Sequence, residues 1–207
     1  MLAIPRKQRA MVRKGIKNGL ASAIDDGVDR FFALYASNVH RHGTPALPRR
    51  YFEALRREFG RDCEVLTVTA PDGRPLSSVL TFYFRDEVLP YYAGDDEAAR
   101  DLAANDYKYW ELMRRSCERG LKVFDYGRSK QGTGSYSFKK NWGFEPAPLH
   151  YEYQLYTRES VPQTRSISRN TPPAMPMSPR SQRRSSSSTV PGPSWLAPIS
   201  LRPDAMA

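Results

Sequence analysis

The chain has 207 residues, a net charge of +10, 40% hydrophobic and 12% aromatic residues, enough for one ordinary domain with a real core plus an appendage. No run reaches the roughly 18–20 apolar residues of a membrane-spanning helix, and the opening Met1–Ala10 has no apolar stretch of the secretory kind. Two cysteines, Cys63 and Cys117, in neither CxxC spacing nor a disulfide framework, read as buried apolar residues of a reducing compartment, so the cytoplasm is the expected location. The charge sits at the ends: residues 1–20 carry +6 and residues 163–207 carry +5, while 21–162 come to −1. A neutral body argues against a nucleic-acid-binding fold, although a basic end can steer a polyanion.

In chain order, residues 5–19 predict a basic helix opening at Pro5 and stopping near Gly19, the leading unit over 1–20. Val28, Phe31, Phe32, Tyr35 and Val39 form a helical stripe that predicts a helix over 26–41. Pro48 opens another, with Tyr51, Phe52, Leu55 and Phe59 inward and Gly60 as its stop. Three strands follow, Cys63–Ala70, Leu76–Phe84 and Val88–Ala93, joined by turns at Pro71-Asp72-Gly73 and Asp86-Glu87. A long helix runs to about Arg119, with Trp110, Met113 and Cys117 on one face and Gly120 ending it. Leu121–Tyr126 predicts a short strand, Gly134–Trp142 a short helix, and Leu149–Tyr156 a last alternating strand. The order implies an α/β fold in which a mixed, mainly antiparallel sheet is flanked by helices, with a parallel neighbour gained through a helical crossover.

The globular unit spans 21–160. Beyond it, 161–207 is rich in Pro, Ser and Arg, including the run Arg183 to Ser188, and is expected to be disordered. Two explanations of that tail stand side by side, a basic or phosphorylatable linker and out-of-frame translation, the latter preferred.

Two strand ends and two helical segments carry a resemblance: Ile4 to Lys14 at the start, Tyr91-Tyr92-Ala93-Gly94, Phe124-Asp125-Tyr126-Gly127-Arg128, and Gly132 to Phe144. In this order they are similar to the GNAT fold as used by FemAB-like proteins, over roughly residues 4–158, especially those found with exosortase/PEP-CTERM and exopolysaccharide systems. The resemblance implies an N-acyltransferase or aminoacyltransferase of cell-envelope or exopolysaccharide metabolism. It also implies that the chain corresponds to the second of two GNAT-like lobes, the first lobe being absent. A simple acetyl-CoA-dependent acetyltransferase and a non-catalytic binding lobe are the alternatives.

Acyl transfer to an amine needs positioning, oxyanion stabilisation and a route for one proton, not a protein nucleophile. Neither GxSxG nor HExxH occurs, and His40, His42 and His150 do not form a ligand pattern, so no metal is expected. Asp125, at the C-terminal end of its strand, is placed to orient the acceptor amine or take its proton, or else to cap the following turn. The resemblance assigns Lys139, in the pair Phe138-Lys139, to donor binding and charge stabilisation; a solvated helix lysine is the alternative. Lys130, Gly132 and Gly134 surround a helix N-terminus suited to an anion, and Tyr126 either packs or touches substrate. Tyr107 and Lys108 lie where they would line the same cleft. Arg9 and Arg13, with Arg6, Lys7, Lys14 and Lys17, present phosphate-binding groups for a tRNA or nucleotide-linked substrate, or a solvated face. The expected donor is acyl-CoA or aminoacyl-tRNA, and the acceptor a small-molecule or glycan-linked amine. Where GNAT enzymes carry a Q/R-x-x-G-x-G/A loop, this chain reads Gly94 to Asp101, acidic and nearly without glycine, which predicts weak coenzyme A binding.

Overall fold

The computed structural model describes residues 4–149, 152–156, 160 and 195–201, the last segment by its backbone. Helix α1 (Arg6–Lys17) is followed by strand β1 (Ala21–Asp25), then α2 (Asp29–Arg41) and α3 (Arg49–Phe59). The meander β2 (Cys63–Thr69), β3 (Pro75–Phe84) and β4 (Glu87–Asp95) comes next. After it come α4 (Ala104–Glu118), β5 (Val123–Asp125), β6 (Ser129–Lys130), α5 (Gly134–Asn141), β7 (Glu145–Pro148) and β8 (Trp195–Leu201). The sheet runs β1-β2-β3-β4-β5-β8-β6, with β7 also paired to β8. Strands β1 to β4 pair antiparallel, and β4 pairs parallel with β5. This is the mixed, mainly antiparallel sheet that the element order implies.

Helices cover both faces because each strand of the meander is apolar on both sides. On one face Phe31, Tyr35 and Phe52 from α2 and α3 close over Cys63, Val65 and Leu80. On the other, Val12, Tyr107, Leu112, Met113, Trp142 and Phe144 close over Leu66, Val68, Val79 and Phe124. The two apolar layers exclude water from the ladder and supply the main driving force. Helix α2 lies so close to β4 that a Cβ at Gly94 would overlap the backbone of Leu34 and Tyr35; only glycine admits that approach.

Four expectations change. Strand β1 is an additional edge strand, in register with β2 from Ala21↔Thr69 to Asp25↔Val65, and its inward end is anchored by Asp25, which takes hydrogen bonds from Arg30 and from Thr67 Oγ1 at 2.8 Å. The strand expected at Leu149–Tyr156 is displaced: β7 covers Glu145–Pro148, and residues 152–156 are irregular and exposed. Within the tail expected to lack structure, Trp195–Leu201 is a strand against β5, β6 and β7, an apolar run taking the edge that β5 leaves open; residues 161–194 and 202–207 lie outside the described residues. Cys63 is buried as expected, but Cys117 is exposed, because α4 turns a stripe of Lys108, Glu111, Leu112 and Ser116 inward.

Candidate active site

Strands β4 and β5 pair only at Glu87↔Val123 and Val88↔Phe124. Beyond Val88, β4 continues to Asp95 while β5 stops at Asp125, so the ladder between the two parallel strands is left open at the C-terminal end of β5. A bulge at the Leu80/Thr81 step of the β3–β4 ladder pairs Tyr92 with Leu80 and Pro90 with Thr81, leaving Tyr91 without an opposite number. Bulges of this kind re-aim side chains beside functional sites.

Asp125 and Lys139 meet at the turn below this opening. The Asp125 carboxylate accepts the Gly127 N–H at 2.6 Å, and Lys139 Nζ donates to the carbonyls of Gly127 (3.0 Å) and Arg128 (3.2 Å). The two groups therefore grip opposite ends of Gly127, whose φ of 66° favours glycine. Asp125 does cap the turn, one of the two roles open to it from sequence. Burial raises its pKa above the ordinary carboxylate value, partly offset by the Gly127 hydrogen bond. Lys139 is buried rather than a solvated helix lysine; burial brings its pKa down to about 8, with Asp125 opposing. Its ammonium also lies 5.7 Å from the centre of the Tyr126 ring. A lysine so placed is protonated at neutral pH yet gives up its proton readily.

The remaining predicted residues divide. Tyr126 is core: its ring packs on Phe144 and Tyr109 at centroid distances of 4.4 and 4.7 Å, and burial raises its pKa well above the tyrosine norm. Lys130, Gly132 and Gly134 are exposed around the start of α5, where Thr133 caps the helix by accepting the Tyr136 N–H at 3.3 Å. Tyr107 and Lys108 do not line the opening. Tyr107 packs under α1, with its Cβ 3.0 Å from where a Cβ at Gly15 would stand. Lys108 is fully buried, and its Nζ bonds Asp95 Oδ1 at 2.9 Å. Arg9 is half-buried and Arg13 exposed on α1, a helix that packs along α4.

Sequence reasoning missed the clamp at the end of β4. Asp95 takes hydrogen bonds from Ser77 and Lys108 on its carboxylate and from Arg41 on its carbonyl. Asp96 accepts the Ala98 N–H at 2.9 Å and stands 3.7 Å from Arg74. Two of the acids in Gly94 to Asp101 are thus already engaged within the protein, and the repulsion expected against a pyrophosphate is smaller than their count suggests. A second missed group is Asp106, in the first turn of α4, whose pKa is raised by burial and which faces the Trp142 indole and Lys7. Among the described residues no His/Cys/Asp/Glu cluster is arranged to hold a metal ion, and no helix is long and apolar enough to cross a membrane.

Residues 6–140 match the family described as the acetyltransferase (GNAT) domain. Among solved structures the chain is similar to FemX, at 18% identity and TM-score 0.61, covering 68% of this chain and 54% of FemX. It therefore spans about half the length of that relative. It is also similar to a probable GNAT-family acetyltransferase from Chromobacterium violaceum, at 13% identity and TM-score 0.55, covering 90% of this chain and 88% of the other. The ribosomal-protein-S18-alanine N-acetyltransferase from Escherichia coli gives 13% identity and TM-score 0.52, over 66% and 86% of the two chains. At these identities the likeness establishes the fold. No curated protein sequence matches the chain.

Proposed function

Since the chain belongs to the acetyltransferase (GNAT) domain family, we propose that it transfers an activated acyl or aminoacyl group to an amine at the Asp125–Gly127–Lys139 turn. The observation that carries this reading is Lys139, buried at the turn that follows β5 with a pKa of about 8. The amine attacks the donor carbonyl, and the new N–C bond replaces the C–O or C–S bond to the leaving group. Asp125, its pKa raised by burial, takes the proton shed by the amine. Lys139 supplies one to the leaving oxygen or sulfur and, while charged, stabilises the oxyanion.

The FemAB-type reading, in which this chain corresponds to one lobe of a two-lobe transferase acting in the cytoplasm on envelope or exopolysaccharide precursors, draws support from the Phe138-Lys139 pair and from the share of FemX that is matched. It favours an aminoacyl donor, with the basic face of α1 available to a tRNA. One observation favours acetyl-CoA instead: Asp95 and Asp96 are engaged within the protein and leave the β4–α4 connection less repulsive to a pyrophosphate. Calorimetric titration separates the two. A low-micromolar Kd for acetyl-CoA, on the order of −8 kcal/mol, makes the acetyltransferase reading the better one, whereas absence of binding together with transfer from aminoacyl-tRNA supports the FemAB-type reading. In either assay Lys139→Ala should lower turnover about 100-fold. An unchanged rate would remove Lys139 from the mechanism.

A further inference from the structure

The face of the sheet beneath α2 and α3 carries a row of aromatic rings that the transfer chemistry does not use. Phe59 meets Phe82 at 5.0 Å, Phe82 meets Tyr91 at 5.9 Å, Tyr91 meets Tyr92 at 4.7 Å, and Tyr92 meets Tyr51 at 6.1 Å. All but Phe82 and Tyr92, which are partly buried, are open to solvent: Tyr91 is 55% exposed, Phe59 51% and Tyr51 38%. Every contact along the row is edge-to-face, and the exposed rings keep apolar surface in contact with solvent. The rim is polar, since the Tyr51 and Tyr92 hydroxyls bond each other at 3.1 Å. The bulge in β4 creates the row by bringing Tyr91 and Tyr92 side by side where strict alternation would have sent them to opposite faces.

The row leads to the turn. Phe82 is the ladder partner of Leu89, and Leu89 Cδ1 lies 3.7 Å from where a Cβ at Gly127 would stand. Phe84, Glu87 and Val123 are successive ladder partners on this face. Asp125, two residues after Val123, therefore projects from the same face, and its carboxyl feels that of Glu87. Exposed aromatic rings with hydroxyls at their rim, leading to two carboxylates, match a particular chemistry. A pyranose has an apolar C–H face for the rings and a hydroxyl edge for the tyrosines, and an amine on it is drawn to the carboxylates. A plain aliphatic ligand would leave the hydroxyls unmatched, and an anionic one would meet Glu87 and Asp125.

We infer that the row Phe59–Phe82–Tyr91–Tyr51 is an acceptor subsite that stacks a carbohydrate ring and delivers its amine to Asp125, so that the acceptor is an amino sugar. This rests on the transferase reading above and sharpens it by naming the acceptor class. The test is binding of a glucosamine trimer to the full chain by calorimetry, beside its fully N-acetylated counterpart and a short single-stranded RNA. The free-amine trimer should bind, and the N-acetylated trimer at least about tenfold more weakly. Tyr91→Ala and Phe59→Ala, at exposed rings and checked for fold by circular dichroism, should each weaken binding roughly three- to tenfold, while Tyr91→Phe should not. Equal affinity for both trimers, no effect of either alanine variant, or RNA binding that is lost in those same variants would overturn the assignment. Donor assays keep the two claims apart. A wild-type chain that acylates other amines but neither binds nor acylates the trimer refutes the subsite alone. One that binds the trimer but transfers from no donor refutes the transferase reading and leaves the subsite standing.

Discussion

Replacing Lys139 by methionine separates the site's contribution to chemistry from its contribution to stability. The fall of its pKa from 10.5 to about 8 corresponds to about 3 kcal/mol of preference against the ammonium, at 1.36 kcal/mol per pKa unit. Screening by nearby solvent reduces this to about 1–2 kcal/mol. Against that stand two hydrogen bonds, to the carbonyls of Gly127 and Arg128, each worth about 1 kcal/mol net. The terms nearly cancel, so Lys139→Met should change the urea midpoint little at pH 7 while lowering turnover about 100-fold. The pH dependence has a definite sign. Because the folded pKa lies below the unfolded one, the unfolded chain holds the proton more tightly between about 8 and 10.5, and wild-type stability rises across that window. The variant lacks this rise, so the wild type should gain on it as the pH increases through 8. Turnover by the wild type, which needs the protonated amine, should fall over the same rise in pH. A variant destabilised by more than about 3 kcal/mol at pH 7, or a wild-type rate flat from pH 7 to 9.5, would refute the reasoning.

Asp125→Asn keeps an oxygen for the Gly127 N–H and removes the base; stability should hold within about 1 kcal/mol while turnover drops on the order of 100-fold. In the wild type the acidic limb of the pH–rate profile should lie above the ordinary 3.8, in the direction burial drives this carboxyl, and a limb at or below that value would count against Asp125. Gly94→Ala puts a methyl group into the backbone of α2 and should cost about 1–3 kcal/mol. That is a drop in Tm of roughly 3–10 °C for a domain of this size, and an unchanged Tm would show that α2 does not seat on β4. Lys108→Met leaves Asp95 without its cation and should destabilise by about 2–3 kcal/mol. Adding Asp95→Leu should recover part of the loss in chemical denaturation, and purely additive effects would argue against a coupled pair.

Elements whose pattern is local were legible in the sequence. The stripe Val28, Phe31, Phe32, Tyr35 and Val39 located α2, and Asp72-Gly73 located the turn between β2 and β3, because side chains a few residues apart decide both. What escaped depends on distant partners. β1 is five residues long and takes its strand character from β2, about forty residues away; β8 reaches its partners from even farther. Polarity misled in the same way. Lys108, Glu111 and Ser116 look like an outward face, yet Asp95, Ser22, Arg114 and Arg115 meet the two charges within the fold, and so Cys117 was turned outward. The bulge that sets Tyr91 beside Tyr92 is likewise a property of the ladder, not of the strand. The same distinction sorts the candidate residues. The turn from Asp125 to Lys139 was readable because strand, glycine and helix follow one another within fifteen residues. Lys108 leaves the candidate site because an acid within the protein already answers its charge. Asp125 and Lys139 stay in it because burial works against the charge of each, and their hydrogen-bond partners are the neutral backbone of one turn. That arrangement suits groups that exchange protons with a substrate better than groups that only hold the fold together.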